Sequence, residues 1–106
     1  MNVINEKTTL LVQCSFADEN GAPVTPAAGS YRLDDMGSGA QIADWTTFTP
    51  AAATYDLMIT DAQNAILNAA REVEKKKLTV SFTFGSDSKK ATGEYIYAVR
   101  NLAKII

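Results

Sequence analysis

Leu78-Thr79-Val80-Ser81-Phe82-Thr83-Phe84, followed by a short polar loop and then the segment from Ala91 to Leu102, reads as two long strands. Leu78, Val80, Phe82 and Phe84 alternate with Thr79, Ser81 and Thr83, a period of two that sets one apolar face on a core and one hydroxyl face toward water. In the second segment Tyr95, Tyr97 and Val99 share a face. The residues between, Gly85-Ser86-Asp87-Ser88-Lys89-Lys90, have the flexibility and polarity of a hairpin loop. The pair decides for a small antiparallel β domain and names no reaction.

Upstream, Arg71-Glu72-Val73-Glu74-Lys75-Lys76-Lys77 is dense in charge and reads as a solvated connection into the strand at Leu78. Before it, Thr60 or Asp61 can cap a helix, and Gln63 completes a Thr-x-x-Gln capping box. Ala62, Ile66, Ala69 and Val73 recur at helical spacing, which predicts one short helix near residues 61–70, held by docking Ile66 on the sheet. Further back, Leu10, Val12, Cys14 and Phe16 form the inward face of a first strand that stops at the turn Asn20-Gly21. Tyr31 and Leu33 mark a short second strand that breaks at Asp35-Met36-Gly37-Ser38-Gly39. Gln41 to Phe48 is a third, its imperfect alternation repairable by a bulge between Ala43 and Trp45. Tyr55, Leu57 and Ile59 make a fourth.

Length and composition allow one domain over residues 1–106, with 1–6 expected to be loose and 103–106 either loose or packed. Apolar residues at 46% and charged residues at 21% are ordinary for a globular chain that folds unaided. A formal net charge of −2 supplies no general field for polyanions, so nucleic acid is not an expected partner. No segment approaches the ~20 apolar residues of a membrane span, and no basic start leads into an apolar run. The expectation is a soluble chain made in the cytoplasm, without membrane contact.

The chain has no histidine, which removes the usual general base, the Ser-His-Asp and Cys-His systems and the commonest zinc ligand. Its single cysteine, Cys14, cannot form an internal disulfide or a thiolate cage, and on the apolar face of a strand it reads as an inert core thiol. Asp34, Asp35, Asp56, Asp61 and Asp87 do not have the spacing of a calcium loop and are explained by turns and caps. Gly37-Ser38-Gly39 precedes an extended segment, so it lacks the helix N-terminus of a phosphate site. Tyr95 and Tyr97, near Lys89, Lys90 and Arg100, read as core or interface groups in preference to a stacking platform for bases. Trp45 reads as a core anchor. No catalytic, metal or cofactor site is expected, and the chain is read as a non-enzyme.

The predicted architecture is a mostly all-β antiparallel sandwich of about six or seven strands, with one helix linking strands of different sheets. An oligonucleotide-binding barrel is the alternative. The expected core is Leu10, Val12, Cys14, Phe16, Trp45, Leu57, Ile59, Ile66, Val80, Phe82, Tyr95, Tyr97 and Val99.

Tyr55-Asp56-Leu57-Met58-Ile59-Thr60, Asp61-Ala62-Gln63-Asn64-Ala65-Ile66, Leu78-Thr79-Val80 and Glu94-Tyr95-Ile96-Tyr97-Ala98-Val99-Arg100-Asn101-Leu102, together with Asp44-Trp45-Thr46, resemble small immunoglobulin-like or fibronectin-type III-like proteins encoded in bacteriophages and prophages. The resemblance covers much of the chain and is made of structural signatures, with no catalytic motif. It implies an immunoglobulin-like sandwich and a virion component or accessory of head, neck or tail. Such a protein would work by contacts with other phage structural proteins or with itself. The alternatives are a single-strand nucleic-acid-binding module, if the fold is the barrel, or carbohydrate adhesion through Trp45 or the tyrosines. The apolar end Ile105-Ile106 is the candidate assembly contact.

Overall fold

A computed structural model describes residues 2–85 and 89–104. The terminal Ile105 and Ile106 lie outside the described residues, as do Ser86, Asp87 and Ser88 in the hairpin loop. The described residues form seven strands, β1 (Asn2–Asn5), β2 (Leu10–Ser15), β3 (Ala28–Asp35), β4 (Gln41–Phe48), β5 (Thr54–Ile59), β6 (Val73–Phe84) and β7 (Lys89–Arg100). A 3₁₀ turn, Leu102–Lys104, follows. One sheet has the order β1-β7-β6-β3-β4 and the other is the pair β2-β5.

The hairpin that decided the fold is longer at its base than its apolar letters indicated. β6 and β7 pair over their full 12 residues each, from Val73↔Arg100 to Phe84↔Lys89. Even-numbered residues of β6 face inward throughout. Leu78 and Phe84 are buried, Val80 and Phe82 half-buried, and Glu74 and Lys76 buried on the same parity. The charged stretch expected to be a solvated crossing is therefore mostly strand, and two of its five strand residues, Glu74 and Lys76, point into the protein.

The predicted helix over 61–70 does not form; the segment is a chain of turns. Its capping box is real: Gln63 N–H donates to Thr60 Oγ1 at 3.2 Å and Thr60 N–H to Gln63 Oε1 at 3.0 Å. Asn64 and Ala65 still donate to carbonyls of the preceding turn, but propagation stops beyond them, where the amides have a better acceptor. Leu67 and Asn68 donate their N–H groups to the Glu74 carboxylate at 2.8 and 2.9 Å, not to carbonyls one turn back. A run this short has no cooperative reserve with which to compete for those donors. The helix was also the mark of the barrel alternative, and among the described residues the two sheets share no ladder, so they do not close into a barrel.

The start expected to be loose is β1, which pairs in parallel with the end of β7, from Asn2↔Tyr97 to Asn5↔Arg100. The bulge in β4 occurs where the alternation fails: Tyr31 pairs with Thr46 but Leu33 with Ala43. The extra residue changes parity, so Ala43 and Phe48 both pack toward the core while Trp45 is left on the outer face. Trp45 is 47% exposed, which corrects its assignment as a core anchor.

The core lies between the sheets. Leu33, Leu78, Tyr97 and Val99 of the larger sheet meet Leu57 and Ile59 of the smaller, with Leu10, Val12, Cys14, Ile66, Val80 and Tyr95 packed around them. Full burial of each large aliphatic group contributes about 1.5–3 kcal/mol. At one end the filling is aromatic: Phe16 meets Phe82 edge-on at 4.9 Å, and Phe48 stacks on Tyr55 at 4.7 Å. Gly29 makes room for this, since a Cβ there would fall 2.7 Å from the Phe48 ring. The other end is filled with charge.

Candidate functional site

At that end Asp35, the last residue of β3, stands opposite Lys76 of β6 in the ladder, and Glu74 is two residues away on the same face of β6. Lys76 Nζ lies 3.0 Å from Glu74 Oε1 and 3.3 Å from Asp35 Oδ1, and all three side chains are essentially inaccessible to water. Burying charges costs several kcal/mol per ion unless geometry and further hydrogen bonds compensate. Here they do. Glu74 also accepts from the Leu67 and Asn68 amides, while Asp35 Oδ2 accepts from Ser38 N–H at 3.0 Å and Ser38 Oγ–H at 2.6 Å. Arg71 adds a longer contact, Nη1 to Asp35 Oδ2 at 3.6 Å, and lies across Gly37, where a Cβ would collide with its guanidinium. Among the described residues no buried side-chain nitrogen or oxygen is left without a partner.

Burial raises the Asp35 carboxyl, but the Ser38 hydroxyl and amide with the Lys76 ammonium outweigh it, and the group ends below its ordinary value. Glu74 follows the same course: burial raises it, and the Leu67 amide, Lys76 and the Asn68 amide bring it below the ordinary carboxylate range. A separate buried polar group lies beside the cluster, where Tyr97 stands opposite Lys76 in the ladder. Asn64, fully buried, accepts from Tyr97 OH at 2.6 Å and donates to the Thr8 carbonyl at 2.8 Å. Burial pushes the Tyr97 phenol up, with the neighbouring Tyr95 adding to it. Asn101 ties the connection down by donating Nδ2–H to the Ala69 and Arg71 carbonyls.

A second feature lies along the small sheet. Among the described residues β2 pairs only with β5 and β5 only with β2, so each presents an unpaired edge there. Beside β2 runs a groove of about 280 Å³, walled by β2 itself and by Val80, Phe82 and Tyr95 of the facing sheet. Cys14 opens on this groove and is half-buried; burial and the nearby Asp56 raise its thiol. On the outer face of the small sheet Leu11 and Met58, paired in register, are 63% and 55% exposed.

Of the residues singled out from sequence, Leu57, Ile59, Tyr97, Val99 and Phe16 are buried and Leu10, Val12, Cys14, Ile66, Val80, Phe82 and Tyr95 half-buried. Tyr97 is inaccessible, so it offers no face to a base. Gly37-Ser38-Gly39 is the β3–β4 turn, and its serine serves Asp35. Sequence reasoning missed Asp35, Glu74 and Lys76 as a group. The available signal was parity: Glu74 and Lys76 continue the inward register of Leu78, Val80 and Phe82.

Among the described residues no cluster of His, Cys, Asp or Glu could hold a metal ion, and no helix is long and apolar enough to cross a membrane. No family model, curated protein or solved structure matches the chain.

Proposed function

We propose that the chain is a non-enzymatic structural module, an immunoglobulin-like sandwich acting by protein contact in the head, neck or tail of a phage or prophage particle. The observation that carries this reading is the small sheet, whose unpaired β2 edge runs beside an apolar groove. Backbone donors and acceptors in a row, next to pockets for alternate side chains, suit the addition of an extended strand from a partner. The strand order supports the immunoglobulin-like assignment. In a variable-type domain G, F, C and C′ lie in one sheet and B and E in the other; β7, β6, β3 and β4 against β2 and β5 follow that order. The strands that flank B and E in such domains have no counterpart among the described residues, which leaves the edges open. The chain departs from antibody domains in having one cysteine and an exposed tryptophan.

The test is mass spectrometry on purified particles induced from the source organism. Stoichiometric presence of the chain supports the reading. Absence beside well-detected coat proteins overturns it.

Carbohydrate adhesion is a second reading, favoured by the outward position of Trp45 beside a shallow depression lined by Arg32, Asp34, Lys77, Thr79 and Glu94. An exposed ring with polar groups around it suits the apolar face of a sugar. A glycan panel that leaves the emission of Trp45, the sole tryptophan, unmoved would sink it.

A further inference from the structure

We propose that Lys76 and Asp35 condense into an intramolecular isopeptide bond, with Glu74 carrying the proton and Ser38 with Arg71 steadying the carboxyl oxygen. The reacting groups are on adjacent strands in direct register, their nitrogen and oxygen 3.3 Å apart. This is the separation of a near-attack arrangement, for which effective molarities reach about 10⁵–10⁸ M. The site excludes water, the by-product whose abundance opposes amide formation in solution. Condensation also removes two buried charges, which the surroundings otherwise have to compensate.

Each atom around the pair has a role in the step. A proton of the Lys76 ammonium crosses to Asp35 Oδ1, giving a neutral amine and a neutral acid. The amine lone pair forms a C–N bond to Cγ of Asp35, and negative charge moves onto Oδ2. That oxygen already accepts from Ser38 N–H and Oγ–H and faces Arg71, donors aimed where charge develops. Glu74 Oε1, 3.0 Å from Nζ, takes a second proton from the nitrogen and returns it to Oδ1, which leaves as water. Oδ2 re-forms the carbonyl, the third lysine proton stays on the amide nitrogen, and Glu74 is regenerated. Nothing besides the chain is consumed. The two amides of Leu67 and Asn68 hold Glu74 in the ionised form that the shuttle requires.

Intact-mass spectrometry of the denatured wild-type chain tests this directly. The expected mass is below that of the sequence by about 18 Da, one water, with a branched tryptic peptide joining the segment of Asp35 to that of Lys76. Glu74→Gln, which keeps the shape of the side chain, is expected to slow the loss of water by about 10²-fold or more. A wild-type mass equal to that of the sequence after prolonged incubation at neutral pH overturns the proposal, as does water loss mapped to other residues. Water loss at the wild-type rate in Glu74→Gln overturns the role of Glu74.

Discussion

Asn64 is the residue through which the failed helix is fastened to the core, and Asn64→Ala measures that fastening. Its Oδ1 accepts from Tyr97 OH at 2.6 Å and its Nδ2 donates to the Thr8 carbonyl at 2.8 Å, with Asn64 and Tyr97 both fully buried. Truncation leaves the Tyr97 hydroxyl without an acceptor, at a cost of about 1–3 kcal/mol, and loses a second bond worth about 1 kcal/mol, since Thr8 is exposed and water can replace the donor there. The sum is about 3 kcal/mol, or a fall in melting temperature on the order of 10–20 °C for a domain of this size. Tyr97→Phe alone orphans only the Asn64 oxygen and should cost about 1–2 kcal/mol. In the double variant neither orphan exists, so its cost should fall short of the sum of the singles by about 1–2 kcal/mol. The assay is equilibrium urea unfolding at neutral pH with the slope checked for constancy. A loss below about 1 kcal/mol for Asn64→Ala, or strict additivity in the cycle, would refute the reasoning.

Gly29→Ala places a methyl 2.7–3.0 Å from the Phe48 ring and should destabilise by about 1–3 kcal/mol, with much of the loss recovered by adding Phe48→Leu; urea midpoints decide. Glu74 should give the stability curve an acid limb. Its folded pKa lies below the ordinary 4.5, so the unfolded chain binds the proton first, and stability that is full above about pH 5.5 declines as pH falls through 4.5 toward the folded value. Glu74→Gln should flatten that limb, and parallel curves for variant and wild type would contradict the assignment. Cys14, with its thiol raised by burial and by Asp56, should react slowly with a thiol reagent in the native state and quickly in denaturant; equal rates would remove it from the core face.

What the sequence made legible follows from how far each signal reaches. The apolar alternation of β2, β5, β6 and β7 is written in the residues themselves, so strands and inward faces could be read directly. At Lys77 the letters turn charged while the geometry does not change, and a reading based on hydrophobicity stops five residues too soon. The buried cluster depends on Asp35 meeting Lys76 across 41 residues of chain, a coincidence that no local pattern records. The capping box at Thr60 was a true local signal overruled by the Glu74 carboxylate arriving from the next strand. The bulge in β4 was legible, but its effect on Trp45 needed the parity of Ala43 and Phe48 on either side. β1 carries no periodic signal in four residues; it is a strand because the outer edge of β7 is there to pair with.

That parallel pairing has a mechanical consequence. A pull transmitted along the chain enters at the start of β1 and leaves past the end of β7, at opposite ends of a ladder running from Asn2↔Tyr97 to Asn5↔Arg100. The two strands are then drawn past each other along their length, so the bonds between them are loaded together in shear. An antiparallel pair at the same place would open one bond at a time. Forced unfolding is governed by the height of the barrier to opening, and a shear geometry at the termini sets that barrier at the first event, before tension reaches the core.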